Sequence, residues 1–137
     1  MNVPDGEFKK ILSQYRQFSV YGLSPDPNKA SHYVPLYMRE QGWGIKGTYP
    51  KPHSEGGFQI YSQLSDIPTN YRKFIDVFRG SEKINEVVDE VLDLGGVEVL
   101  WLQLGIFNPE AEKRAEKAGI KVISNRCLII EHKKWFR

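Results

Sequence analysis

Cysteine is nearly absent, with Cys127 the only one in 137 residues. A lone thiol excludes an internal disulfide and any multi-cysteine metal site, and there is no paired metal-ligand spacing elsewhere. An excess of charge of one sign is also missing. Lys and Arg number 19, Asp and Glu 17, and the formal net charge is +2. Acidic and basic residues alternate through most of the chain, so the basic stripe of a nucleic-acid binder is lacking. The one basic cluster, His132-Lys133-Lys134-Trp135-Phe136-Arg137, is expected to be a solvated end. Long hydrophobic runs are missing too. The longest nearly apolar stretch, Val97 to Phe107, contains Glu98 and Gln103 and falls short of the roughly 20 residues a membrane span needs. Met1 to Lys10 has no apolar run of the secretory type. The expectation is a cytoplasmic protein with neither a membrane nor a nucleic acid as partner.

What remains is ordinary globular material, 40% hydrophobic and 26% charged, and the chain reads as one domain over 1–137. Strand-like and helix-like segments alternate, the pattern of a parallel sheet with helices on both faces. Strands are expected at Phe18–Leu23, Trp43–Tyr49, Lys73–Phe78, Val97–Gln103 and Ile120–Ser124. The segment Phe58–Tyr61 is left without a role. Between the strands lie helices with apolar residues at helical spacing. The clearest follows Ser81 and carries Ile84, Val87, Val88, Val91 and Leu92, ending at Gly95-Gly96. Asn108 and Pro109 read as the cap and first residue of another. Ser81 is expected as the cap of the first of these, Asp5 and Ser31 as the caps of two more, and Leu128–Trp135 as a terminal turn or short helix.

Right-handed crossovers turn this order into an α/β, doubly wound, Rossmann-like fold of three layers. Its five-stranded parallel sheet is expected in the order 3-2-1-4-5. Such a sheet binds ligands where the winding reverses, at the carboxyl ends of its strands. That places a crevice between the loops Leu23–Ala30 and Leu104–Asn108, with the loop after the second strand alongside. The first of these, Gly22-Leu23-Ser24-Pro25-Asp26-Pro27-Asn28-Lys29, is the most informative. Gly22 permits a sharp turn, Ser24 and Ser31 offer hydroxyls, and Lys29 a charge. The N-terminus of the following helix supplies free N–H groups, so the junction suits a pyrophosphate. The dinucleotide fingerprint G-x-G-x-x-G and the glycine-rich lysine loop of nucleotide hydrolases are both missing.

The order of several segments nevertheless resembles the stand-alone CoA-binding domain family, which is similar to the N-terminal domain of the succinyl-CoA synthetase α subunit. They are Val20-Tyr21-Gly22-Leu23-Ser24 with Pro27 and Lys29, Tyr49-Pro50, Ile75-Asp76-Val77-Phe78-Arg79, Val99 to Ile106, and Asn125-Arg126-Cys127. Together they span roughly residues 15–132. The resemblance implies coenzyme A, or an acyl-CoA, as ligand. It would put phosphates on the loop at Gly22, Ser24 and Lys29, with Leu23 and Ser31 in the same cofactor site, and adenine beside Tyr49 and Pro50. Val77, Phe78 and Arg79 would line the nucleotide or the pantetheine arm, with Gln103 and Gly105 along the thiol end. Tyr49 stands where family members often have Asn.

No serine–histidine or cysteine–histidine arrangement is visible by motif, so a non-catalytic binder is expected. It would be a carrier, a sensor or a partner of CoA enzymes. Two alternatives stay open: a nicotinamide-nucleotide redox sensor, and an enzyme acting on a CoA thioester through Cys127 or Asp76. Asp76 is otherwise expected to bond loop backbone. His32 is a phosphate contact or an exposed residue, and His53 and His132 have no partner that the sequence identifies.

Overall fold

The computed structural model describes residues 3–136. Six parallel strands form its sheet: β1 (Gln17–Tyr21), β2 (Gly44–Thr48), β3 (Gln59–Tyr61), β4 (Phe74–Val77), β5 (Val99–Leu102) and β6 (Lys121–Ile123). Their spatial order is β3-β2-β1-β4-β5-β6. Five α-helices accompany them: α1 (Phe8–Gln14), α2 (Ala30–Glu40), α3 (Ile84–Leu94), α4 (Pro109–Lys117) and α5 (Leu128–Trp135).

Two cores flank the sheet, because each buried strand sends alternate side chains to opposite faces. Phe18, Val20, Phe74, Val99 and Trp101 meet Ile11, Leu12, Val34, Met38 and Leu128 from α1, α2 and α5. Ile75, Val77, Leu100, Leu102 and Val122 meet α3 and α4 through Ile84, Val87, Val88, Val91, Ala111 and Ala115. The three layers expected of the sequence are present. In β4 and β5 every residue is buried, which suits strands with neighbours on both sides and helices above and below.

The five-strand expectation is corrected in two ways. Phe58–Tyr61, left without a role, supplies β3, which pairs with Lys46–Thr48 at the sheet edge. The segment Lys73–Phe78, expected beyond the second strand, lies beside β1 instead, with Val20 opposite Asp76 and Tyr21 opposite Val77. Its other neighbour is β5, where Trp101 stands opposite Asp76. The physical reason is burial: Phe74, Ile75, Asp76 and Val77 are all shielded, whereas Gln59 is exposed and suits an edge. The winding still reverses once, between β1 and β4.

Helix starts differ in detail. Asp5 opens a 3-10 turn, Asp5–Glu7, and does not cap α1. Lys29 occupies the N-cap position of α2, so Ser31 lies within the first turn. Ser81 opens a 3-10 turn ahead of α3, and its hydroxyl accepts from the Phe107 N–H at 3.1 Å. Asn108 does cap α4, its side chain accepting from the Ala111 N–H at 3.1 Å, with Pro109 following. Pro35 lies inside α2, past its first turn, and the Ser31 carbonyl that it leaves without a helix donor accepts the Ser24 N–H at 3.2 Å. The tail expected to be a solvated end is divided: Lys133 and Lys134 are exposed and Trp135 and Phe136 half-buried, whereas His132 is buried against Trp43 and stacked on Phe136. Arg137 lies outside the described residues.

Candidate functional site

The reversal between β1 and β4 leaves the loops after these strands diverging, and a cavity of about 900 Å³ opens there. Its first wall is the β1–α2 junction: Tyr21, Gly22, Ser24, Lys29 and Ser31. Its second is the end of β2, Thr48 to Lys51. The third is Phe78 and Arg79 after β4, and beyond these come Ser62 to Ser65 after β3 and Glu90, Asp93 and Leu94 of α3.

The β1–α2 loop is closed on itself. The Gly22 and Leu23 N–H groups both donate to the Thr48 carbonyl, and the Ser24 N–H donates to that of Ser31. The Asp26 N–H donates to the Ser24 hydroxyl, the Asn28 N–H to the Asp26 carboxylate, and the Lys29 N–H to the Asp26 carbonyl. Gly22 has φ +89°, and a Cβ there would lie 2.9 Å from the Phe78 carbonyl oxygen. Its glycine is therefore needed to seat β1 against β4. Leu23 packs inward over Gly47, where a Cβ would stand 2.7 Å from that of Leu23.

With those donors spent, the groups left for an anion are few. The Ala30 and Ser31 N–H groups, in the first turn of α2, find no backbone or side-chain acceptor among the described residues. Helix N-termini leave such donors free and carry partial positive charge. The Ser31 hydroxyl and the Lys29 ammonium adjoin them, and Lys51 and Arg79 add charge on the other walls. Glu90 and Asp93 give the α3 side the opposite sign. Tyr21 donates its hydroxyl hydrogen to Glu90 at 2.9 Å, and burial, followed by this carboxylate, pushes the phenol up to about 12. It is a fixed donor at neutral pH.

Of the residues expected at a site, Gly22, Ser24, Lys29, Ser31, Tyr49, Pro50, Phe78 and Arg79 line this cavity. Leu23, Val77, Gln103 and Gly105 do not. Leu23 and Val77 are core, and Gln103 is buried with its side-chain oxygen accepting from the Leu128 N–H. Gly105 sits in the exposed β5–α4 loop, its N–H donating to Asn125. The expected crevice loop Leu104–Asn108 follows β5, one strand away from the reversal, and Phe78-Arg79 takes its place. Lys51, Ser62, Gln63, Ser65, Glu90 and Asp93 were not expected. Lys51 was within reach, as a cation two residues past the expected strand end at Tyr49, but the serines were hidden because β3 was not recognised.

The candidates for chemistry stand off this lining. Cys127 is half-buried at the N-cap position of α5. Asp76 was expected to bond loop backbone, yet both of its carboxylate oxygens are buried without a hydrogen-bond partner. Burial pushes its pKa well above the usual carboxylate range. His32 is buried rather than exposed or turned to an anion, its Nδ1 2.7 Å from the Ser24 carbonyl. No group of His, Cys, Asp and Glu among the described residues could hold a metal ion, and none of the described helices is long and apolar enough to cross a membrane.

A doubly wound parallel sheet with a cation-lined cavity at its reversal defines a Rossmann-like α/β protein. The chain belongs to the CoA binding domain family, whose model matches residues 16–133. It is 31% identical over 131 residues to the uncharacterized protein YneT of Bacillus subtilis (strain 168), covering 96% of each chain. The structure of a Thermus thermophilus protein, cell-free ID.343, is similar with a TM-score of 0.86 and 38% identity, over 98% of this chain and 100% of that one. A hypothetical protein from Pyrococcus horikoshii OT3 aligns with a TM-score of 0.90 and 29% identity, over 98% and 94% respectively.

Proposed function

We propose that this protein binds coenzyme A or an acyl-CoA in the cavity at the β1–β4 reversal, as a carrier, sensor or partner of CoA enzymes and without turnover of its own. The observation that carries the reading is Lys29. It stands at the positive end of α2, and the helix has no acidic residue in its first turn. A cation there opposes the helix dipole, and the arrangement is favourable once an anion sits between them.

The residues suit the ligand. A pyrophosphate would rest on the Ala30 and Ser31 N–H groups, the Ser31 hydroxyl and Lys29. Lys51 and Arg79 offer charge for a further phosphate, and Tyr49 with Pro50 a flat edge for adenine. The volume of about 900 Å³ lies in the range of small-ligand sites. A non-catalytic role is supported by the lining, where the carboxylates Glu90 and Asp93 sit on the α3 wall with Glu90 held by the Tyr21 hydroxyl, while Cys127 and Asp76 lie elsewhere.

Native mass spectrometry of the purified chain against CoA, acetyl-CoA, NAD, NADP and ATP tests the reading. A 1:1 complex with CoA or acetyl-CoA that survives competition by the other nucleotides is expected. Preferential retention of NAD or NADP would overturn it in favour of a redox sensor. Steady consumption of acetyl-CoA would overturn the non-catalytic part alone.

A further inference from the structure

Three segments converge on the anion end of the cavity: the β1–α2 loop, the first turn of α2 and the β2–β3 connection. Two histidines join them. His53 belongs to the β2–β3 connection. Its Nε2 lies 2.9 Å from the Leu23 carbonyl oxygen, and its Nδ1 lies 3.2 Å from the Glu55 backbone nitrogen. A carbonyl can only accept and a backbone N–H can only donate. Nε2 therefore carries the proton and Nδ1 the lone pair, which makes His53 the neutral Nε2–H tautomer. Its ring stands edge-on to Tyr49, a lining residue, with centroids 5.4 Å apart.

His32 makes the second tie from inside α2. Its Nδ1 donates to the Ser24 carbonyl at 2.7 Å. The far side of its ring rests against Gly56, where a Cβ would lie 3.0 Å from Cε1 and 3.1 Å from Nε2. Gly56 thus gives the imidazole room, and it belongs to the same connection as His53. Two consecutive carbonyls, those of Leu23 and Ser24, each receive one imidazole N–H from outside the loop. These are the outward-tethering bonds of a segment whose own N–H groups are spent within the junction or on Thr48.

We infer that His53 and His32 are positioning residues that clamp Leu23-Ser24 to the β2–β3 connection. The clamp holds the Lys29–Ser31 anion end at a fixed distance from the Tyr49 wall. The effect on ligand affinity rests on the CoA reading; the clamp itself does not.

His53 is the accessible test, because it is half-buried whereas His32 lies in the core. In the full chain, His53→Phe keeps a ring beside Tyr49 and removes both hydrogen bonds. His53→Gln supplies one donor and one acceptor again. With CoA as the probe, calorimetric titration is expected to show His53→Phe binding about threefold to tenfold more weakly, the size of one net hydrogen bond. His53→Gln should recover most of that loss. Amide hydrogen exchange at Ser24, Asp26 and Asn28 should quicken in His53→Phe and not in His53→Gln. Nitrogen NMR of the wild-type rings should show His53 protonated at Nε2. Wild-type exchange rates in His53→Phe, no recovery in His53→Gln, or a proton on Nδ1 alone would each overturn the clamp. Should wild-type protein bind no CoA, the CoA reading fails, and the exchange and tautomer measurements still decide the clamp.

Discussion

Replacing Lys29 by alanine has effects of opposite sign on the empty and the occupied protein. In the empty protein the ammonium group stands at the N-cap position of α2, exposed, at the end of the helix that carries partial positive charge. Removing it relieves a repulsion of about 0.3–1 kcal/mol and breaks no side-chain hydrogen bond or ion pair with a described residue. Lys29→Ala should therefore melt at the same temperature as the parent or slightly higher. In the proposed CoA complex the same ammonium would face a phosphate, and a charge-assisted hydrogen bond is worth about 1.5–3 kcal/mol. At about 1.4 kcal/mol per decade, CoA should bind roughly tenfold to a hundredfold more weakly. Added salt should weaken binding to the parent more than to the variant, because one screened charge pair has been removed. Ala30→Pro is the companion variant. The extended backbone of Lys29 (φ −92°, ψ 143°) tolerates a following proline, and the first helical position loses no helix hydrogen bond. It deletes one free N–H while leaving the charge. Calorimetric titration at two salt concentrations, with thermal melts of the empty proteins, reads both effects. Equal CoA affinities for parent and Lys29→Ala would refute the reasoning, and so would a variant that loses affinity only because it loses stability.

Further outcomes follow from buried groups. Asp76 has its pKa raised in the folded state by burial, so its protonated form is favoured there. Its contribution is fully present below the ordinary carboxylate value near 4 and is lost as pH rises toward the folded value. Asp76→Asn should accordingly raise the melting temperature at pH 8 and change it little near pH 4, at roughly 2–4 °C per kcal/mol. His132 shifts the other way: burial, then the Arg16 charge, lowers it. Its stabilisation is present above the ordinary histidine value of about 6.5 and is lost as pH falls through and below it. A melting temperature that falls between about pH 7 and 5 in the parent, and falls less in His132→Gln, is expected by scanning calorimetry. Gly47→Ala would drive a Cβ to 2.7 Å from that of Leu23. It should cost about 1–3 kcal/mol in denaturant titration and weaken CoA binding by displacing the loop that Leu23 anchors.

Local chemistry was enough for much of this protein. Asn108 and Pro109 start α4 because the cap reaches only three residues along the chain. The stripe Ile84, Val87, Val88 and Val91 is a helix face at any position in a fold, and all four are buried. The glycine-bearing, proline-rich junction from Gly22 to Lys29 announced a loop before a helix, and that helix start lines the cavity. What the sequence could not decide was which strands are neighbours. Parallel strands meet through crossovers of similar composition, so nothing local distinguishes Lys73–Phe78 beside Trp43–Tyr49 from Phe74–Val77 beside Gln17–Tyr21. Three residues paired on one side, Gln59–Tyr61, are too short a strand to show a period, and with them the cavity wall Ser62–Ser65 stayed hidden. The partners of the histidines were equally out of reach: His53 finds the Leu23 carbonyl 30 positions away, and His132 finds the Tyr37 hydroxyl at a separation of 95. Such contacts depend on how the layers stack, which is decided by the burial of both cores at once and not by any one segment.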